Sequence, residues 1–495
     1  MQNGGKITMK KVKNILIILI FTILFSMCMI STVKAENTNT DITITFKDKQ
    51  FFDYIRYTYG ATTKDESTLT LTMHEERMKA VVILDMKDKN IKDLTGIEKF
   101  TNIYELWLDN NPISDFSLLK KLPNLHLLSI NECEINDISK IADLTNLGVL
   151  CLNGNNIRDI SELSNFTKLK NLYLSENNIS NISYLSQITT LETLDISNNN
   201  ISDISSLKNL TSLIKFYFSG NSVKDISVVS GMTKLENLGF SANQVTDLSP
   251  LKGFTTLKTL NVYGNKVKDL SIISTNTEMT HLYADSTGID NIKFAKNLTE
   301  LVEFNFRWNQ VSDIEALAKL SKLETLYMDG NKILDMSVLE NMTNLNNFSG
   351  HSQKIEIESK SGEVVTLPEL FVSARTKTSK AYTEEELQIT NGELDSTEKK
   401  VKVGESGTTV VKIKDGKFKD SIVTIKIKET IKDKTDNNET NNITDKNEIN
   451  KDDTIAPDKK LPQTGETITL YIFMALIIIG IVVAKVKYKK YNFKD

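Results

Sequence analysis

The feature that most constrains this chain is a period. From Val81 to Asn344 it divides into twelve units of 22 residues with no insertion or deletion. The unit Leu191–Ser212 shows the pattern: apolar residues fall at Leu191, Leu194, Ile196, Ile201, Ile204, Leu207 and Leu210, which are unit positions 1, 4, 6, 11, 14, 17 and 20. A unit this short cannot enclose a core and must stack on its neighbours, which gives a solenoid. Positions 4 and 6 alternate with polar neighbours and predict a short strand with one face inward. Strands of successive units then pair in parallel about 4.8 Å apart, so twelve units predict a sheet roughly 55 Å long over a continuous core.

Two polar positions recur as regularly. Position 9 is asparagine in nine of the twelve units, from Asn111 to Asn331. A buried amide there can satisfy backbone groups of its own turn and the adjoining one. Cys133 and Thr287 take this place in two units. Cys133 then reads as a buried thiol in the ladder and Cys151, at position 5, as outward-facing, so no disulfide is expected between them. Position 13 is aspartate in ten units and Asn181 or Asn291 in the others. A column of carboxylates could hold cations, but Asp followed by Ile-Ser before a short convex turn is better read as an N-cap. The pattern is identified as the leucine-rich repeat. The expected fold is an α/β leucine-rich-repeat solenoid over 81–350, with a partial thirteenth unit, a parallel β-sheet on the concave face and short 3-10 or helical turns on the convex face.

The flanks should close the solenoid. Asp48 can cap a helix carrying Phe51, Phe52 and Ile55, with Gly60 ending it, and Thr72 with Glu75 has capping-box spacing for a second helix ending near Ala80. Residues 36–80 are therefore expected to form a helical cap. After Leu345 and Phe348 the period decays into alternation at Ile355 and Ile357, Val401 and Val403, Val411 and Ile413, and Val423, Ile425 and Ile427. This predicts a small β-sandwich over 351–429. Residues 430–460, rich in Asn, Asp, Lys and Thr and without an aromatic residue, read as a disordered linker.

The termini carry targeting signals. Lys10, Lys11 and Lys13 precede an apolar run from Ile15 to Ile30 and a Val33-Lys34-Ala35 site, which describe a signal peptide over 1–35 cleaved after Ala35. The run is short for a retained membrane anchor, and Met27 before Cys28 is too bulky for lipoprotein processing. At the other end Leu461-Pro462-Gln463-Thr464-Gly465 is followed by an apolar stretch over 468–484 and a tail holding Lys485, Lys487, Lys489 and Lys490. That stretch can just span a bilayer, with the lysines on the cytoplasmic side. Segment 461–495 resembles the LPxTG sorting signal of Gram-positive surface proteins. The resemblance implies that sortase recognises Leu461, Pro462, Thr464 and Gly465, cleaves between Thr464 and Gly465, and joins Thr464 to peptidoglycan. The chain would then be in the membrane only before sorting.

A helical cap, 22-residue repeats ending in Asp-Ile-Ser-x-Leu, a β-sandwich and a sorting signal, in that order, resemble the internalin family. The resemblance implies that the sandwich is immunoglobulin-like and that the protein sits on the cell wall and binds an extracellular, host protein as an adhesin or invasin. It departs from the family in having proline near position 16 only at Pro250. Strand alternation places positions 3, 5 and 7 on the concave side, with position 8 at the strand end. These positions hold Trp107, Tyr173, Tyr217, Tyr263, Tyr283, Arg307, Trp308 and Tyr327, residue types enriched at binding hot spots. Tyrosine also suits exposed strands, but the cluster from Tyr263 to Tyr327 exceeds that, and Asp285, Glu303 and Asp329 lie among it. Aromatic rings also stack on sugars, so a carbohydrate-binding or structural wall protein is the alternative. A net charge of −4 gives no basic footprint for nucleic acid. The four histidines have no metal-ligand spacing, and His281 near Asp285 lacks a nucleophile, so no metal, cofactor or enzymatic activity is expected.

Overall fold

A computed structural model describes residues 40–360, 362–366, 387–395, 400–404, 408–413 and 420–428. Ala35, the linker, Leu461, Pro462, Thr464, Gly465 and the apolar stretch 468–484 lie outside the described residues. Among the described residues no helix is long and apolar enough to cross a membrane.

The N-terminal segment begins as expected and then departs. Helix α1 (Lys49–Tyr59) is capped by Asp48, whose Oδ1 accepts the N–H groups of Gln50 at 2.8 Å and Phe51 at 3.0 Å. The same carboxylate reaches the first repeat, its Oδ2 accepting the Lys92 N–H at 2.8 Å. Gly60, at φ 62°, ends the helix, and Phe51, Phe52 and Ile55 are buried. The capping box at Thr72 and Glu75 is not formed. Thr72 lies in a strand, and the short helix α2 (Glu75–Lys79) is capped by His74, which accepts the Glu76 N–H. The strands β1 (Asp41–Thr45), β2 (Thr62–Asp65) and β3 (Thr70–His74) form an antiparallel sheet in the order β1-β3-β2. The reason is the alternation of Ile44, Leu71 and Met73 with threonine, which turns one face of a strand inward.

The solenoid runs as one parallel sheet of thirteen strands, β4 (Ile83–Asp85) through β16 (Asn347–Ser349), each paired with the next in sequence. Each strand covers unit positions 3–5. On the opposite side each unit makes a short 3-10 helix such as Ser205–Asn209. The position-13 side chain stands one residue ahead of the N-cap expected of it, which is Ile204 in this unit. It still accepts the N–H two residues on: Asp203 Oδ1 takes the Ser205 N–H at 2.8 Å, and Asn181 and Asn291 do the same for Ser183 and Lys293.

The ladder binds unit to unit. Asn199 donates from Nδ2 to Ile196 O at 3.2 Å in its own turn and to Leu174 O at 2.9 Å in the preceding unit, while its Oδ1 accepts the Ile179 N–H at 2.9 Å. Gln353 continues the series, donating to Met328 O at 2.9 Å and accepting from Ile333 N at 3.0 Å. The last repeat thus extends past the expected boundary at 350. Where asparagine is missing, at Lys89, Cys133 and Thr287, the following residue turns left-handed: Asn90 at φ 55°, Glu134 at 57° and Gly288 at 87°. That turn aims two N–H groups of the unit at one oxygen of the next asparagine, as Cys133 and Ile135 do to Asn155 Oδ1, both at 3.0 Å. The thiols of Cys133 and Cys151 are both free.

Beyond Gln353 lie two further sheets. One has the order β17 (Lys354–Lys360), β23 (Ile422–Lys428), β22 (Thr408–Ile413), β19 (Leu387–Thr390); the other has β18 (Val364–Thr366), β21 (Lys400–Val403), β20 (Gly392–Asp395). Ile355, Val401, Val403, Val411, Val423 and Ile425 are buried between or beneath them. The Gln353 carbonyl accepts the Ile422 N–H at 2.8 Å, so the ladder's last residue also joins these sheets.

Candidate functional site

The expected contact residues fall into three groups along the sheet. Trp107 stands alone at one end in β5 (Glu105–Trp107), with the Lys87 ammonium 4.3 Å over its ring. Beside it an apolar surface was missed in the sequence. Tyr104 is 45% exposed and stacks on His126 with centroids 4.9 Å apart, and Val82 and Ile83 are exposed next to them. The signal was present at position 2, just ahead of each strand, and at position 3, its first residue. Tyr173 and Tyr217 form the middle group. The third group unites Tyr263, Tyr283, Arg307, Trp308 and Tyr327.

In this last group three strands set the spacing. Tyr283 ends β13 (His281–Tyr283), Asn305 ends β14 (Glu303–Asn305) and Tyr327 ends β15 (Thr325–Tyr327), in register side by side. The two tyrosines therefore stand about 10 Å apart at their Cα atoms. Arg307 is fixed from below: Asp285 accepts its backbone N–H at 2.6 Å on Oδ1 and its Nη2 at 3.0 Å on Oδ2. The guanidinium lies 5.2 Å over the Tyr327 ring, a cation–π arrangement that holds both groups. Trp308 is 57% exposed and Tyr263 46%, the two most open large apolar side chains of this group.

Two of the three carboxylates that lie among this patch are already engaged by the protein itself. Asp285 and Asp329 are not open carboxylates awaiting a basic partner. Asp285 is buried and engaged with Arg307, and burial raises its carboxyl above the usual range despite the guanidinium. Asp329 accepts the His351 N–H at 2.6 Å and the Ser349 hydroxyl. Both belong to a second ladder at position 7, which also includes Asp109 to Asn131 N–H at 2.9 Å and Asn131 to Asn153 N–H at 2.7 Å. His281 hydrogen-bonds Thr280 at 2.9 Å, so it and Asp285 each have another partner. Among the described residues no group of three or more His, Cys, Asp or Glu side chains is placed to hold a metal ion.

Parallel sheet, 3-10 turns and asparagine ladder together define a leucine-rich-repeat protein, and a family model described as leucine rich repeats (2 copies) matches residues 167–210 and 211–253. Proteins of this class are generally interaction scaffolds rather than enzymes. The internalin InlF of Listeria monocytogenes is similar at 33% identity and TM-score 0.57, over 62% of this chain and 89% of that one. The chain belongs to the internalin family. The functional domain of InlJ from the same organism, described as including a cysteine ladder, is similar in fold at 18% identity and TM-score 0.51, over 79% of this chain and 100% of that one. A leucine-rich-repeat protein of Leptospira interrogans is similar at 20% identity and TM-score 0.50, over 62% of this chain and 84% of that one. No curated protein matches the chain in sequence.

Proposed function

We propose that this chain is an exported surface protein of a Gram-positive cell, linked to peptidoglycan through Thr464, that binds an extracellular host protein through the sheet face of its repeats as an adhesin or invasin. The observation that carries the binding role is the patch around Trp308. Two large apolar groups are open to solvent there, beside Tyr283, Tyr327 and an arginine whose geometry is already fixed. Rigid aromatic anchors of this kind lose little freedom on binding and dominate interfaces. The two sheets after Gln353 are assigned to an immunoglobulin-like module that carries the solenoid outward from the wall.

Host-protein capture run beside a glycan array identifies the ligand class, and a ligand found only among glycans turns the reading to the carbohydrate alternative. With the protein ligand in hand, alanine at Trp308 or Tyr327 weakens binding by about 2 kcal/mol or more, while Lys208→Ala on the opposite side changes nothing. Unchanged affinity in a Tyr283/Trp308/Tyr327 triple-alanine variant would move the site elsewhere. Anchoring is tested separately: replacement of Pro462 or Thr464 shifts the protein from muramidase-released wall to membrane or medium.

A further inference from the structure

A second aromatic group lies at mid-length of the sheet. Tyr173, Asp195 and Tyr217 occupy the same position of β8 (Asn171–Tyr173), β9 (Thr193–Asp195) and β10 (Lys215–Tyr217), in direct register. Two strand spacings separate the tyrosines, about 10 Å between Cα atoms. Both rings are half-buried, and Asp195 between them is only 7% exposed.

Asp195 differs from the position-7 carboxylates of this face, and from Asp85, which holds its own turn in the same way but has the Lys87 ammonium at 3.8 Å. Asp109, Asp285 and Asp329 each accept the backbone N–H of the following unit, whereas Asp195 accepts only within its own turn, from Ser197 N at 3.0 Å. It is therefore not a rung that holds repeats together. Among the described residues no lysine, arginine or histidine pairs with it, while Asp285 has Arg307 at 3.0 Å. Glu176 adds further negative field. A buried carboxylate with no counter-charge is unfavourable. Asparagine stands at the same unit position at Asn261 and Asn305, and its amide oxygen could accept the same N–H without the charge. The negative charge thus has no structural task that the neutral residue would not perform, and it is flanked by two aromatic rings whose faces attract cations.

We propose that Tyr173, Asp195 and Tyr217 form a slot for one basic side chain, lysine or arginine, of a protein partner, with the cation between the two phenol rings and the carboxylate beneath it. Burial holds the Asp195 carboxyl above its usual range and pushes the Tyr217 phenol up to about 12. Tyr217 and Tyr283 are three strands apart, about 14 Å, so one partner can fill the slot and cover Trp308, but neither contact depends on the other.

The test uses the full chain and the peptide acetyl-Gly-Ser-Arg-Ser-Gly-amide, with its citrulline counterpart as the uncharged control. The aspartate carboxyl signals are followed by NMR in protein labelled at aspartate. The expected result is a saturable shift of the Asp195 signal with the arginine peptide and none with citrulline. By an independent binding readout, affinity falls at least tenfold in Asp195→Asn and in Tyr173→Ala. Asp195→Asn should melt no lower than wild type, which separates lost recognition from lost fold, and the Trp308 triple variant should bind the peptide normally. The proposal is overturned by equal binding of both peptides, by no saturable shift up to about 50 mM, by full binding in Asp195→Asn, or by a lowered melting temperature in that variant.

Discussion

At position 8 of all thirteen repeats the backbone is left-handed, from Asp88 to Ser352, and one of the residues held there is Trp308 at φ 56°. Glycine, asparagine and small residues fill most of the column because a Cβ in this region meets the carbonyl oxygen, at a cost of roughly 1–2 kcal/mol. A bulky ring in such a place marks a functional constraint rather than a folding preference. Gly330, next in the column, makes room for it: a Cβ there would stand 2.1 Å from Trp308 Cε3. Trp308→Gly should therefore leave stability unchanged or raise it by up to about 1 kcal/mol while abolishing the aromatic anchor; urea unfolding decides, and a marked loss of stability would mean the ring is a packing element. The ladder behaves oppositely. Asn199→Leu strands four hydrogen-bonding contacts and should cost about 1–3 kcal/mol, against much less for the exposed Asn200→Leu. Equal melting temperatures would contradict this account of the ladder.

Among the elements, the repeats obey their pattern and the exceptions are informative. Position 20 is apolar in most units, as at Leu210, Met232 and Leu298, yet Asn276 stands there, fully buried with neither side-chain oxygen nor nitrogen hydrogen-bonded. An unsatisfied buried amide is costly, and leucine is of similar size, so Asn276→Leu should stabilise the protein by about 1–3 kcal/mol. A lowered urea midpoint would show that the amide has a partner in solution. At the N-terminus Thr72 and Glu75 have capping-box spacing for the second of two expected helices. Over Thr70–His74, however, a period of two competes with that local signal. Pairing with Asp41–Thr45 settles it, since five residue pairs in register outweigh one cap bond.

For the whole molecule, two sets of aspartates impose opposite pH dependences. The N–H and hydroxyl of the serine two residues on hold the carboxyls of Asp115, Asp137, Asp203 and Asp247 below their usual value. Their contribution to stability is present above the unfolded pKa of about 3.9 and lost as pH falls through the lower folded values. Burial raises Asp195 and Asp285. Their contribution is greatest below about pH 3.9 and is lost as pH rises through their raised folded values. Melting temperature should fall steeply in acid as the caps protonate. Asp195→Asn should flatten the decline on the side above about pH 4; a profile there identical to wild type would remove Asp195 from the explanation.

What the sequence by itself determined is whatever repeats. The period, the inward positions, the asparagine ladder and the caps follow from local spacing multiplied over twelve units, and each unit faces the same neighbour as the last. The aromatic composition of the sheet face was legible for the same reason. Only the tertiary structure decided which carboxylates are free and which are used. The period places Asp285, Asp329 and Asp195 alike on the outward face. The first two meet the next unit's backbone at position 7, and Asp195, two positions earlier, meets only its own turn and two rings. A residue's spacing fixes the face on which it lies, but its charge and accessibility depend on side chains 22 residues away, whose identities the repeat leaves open.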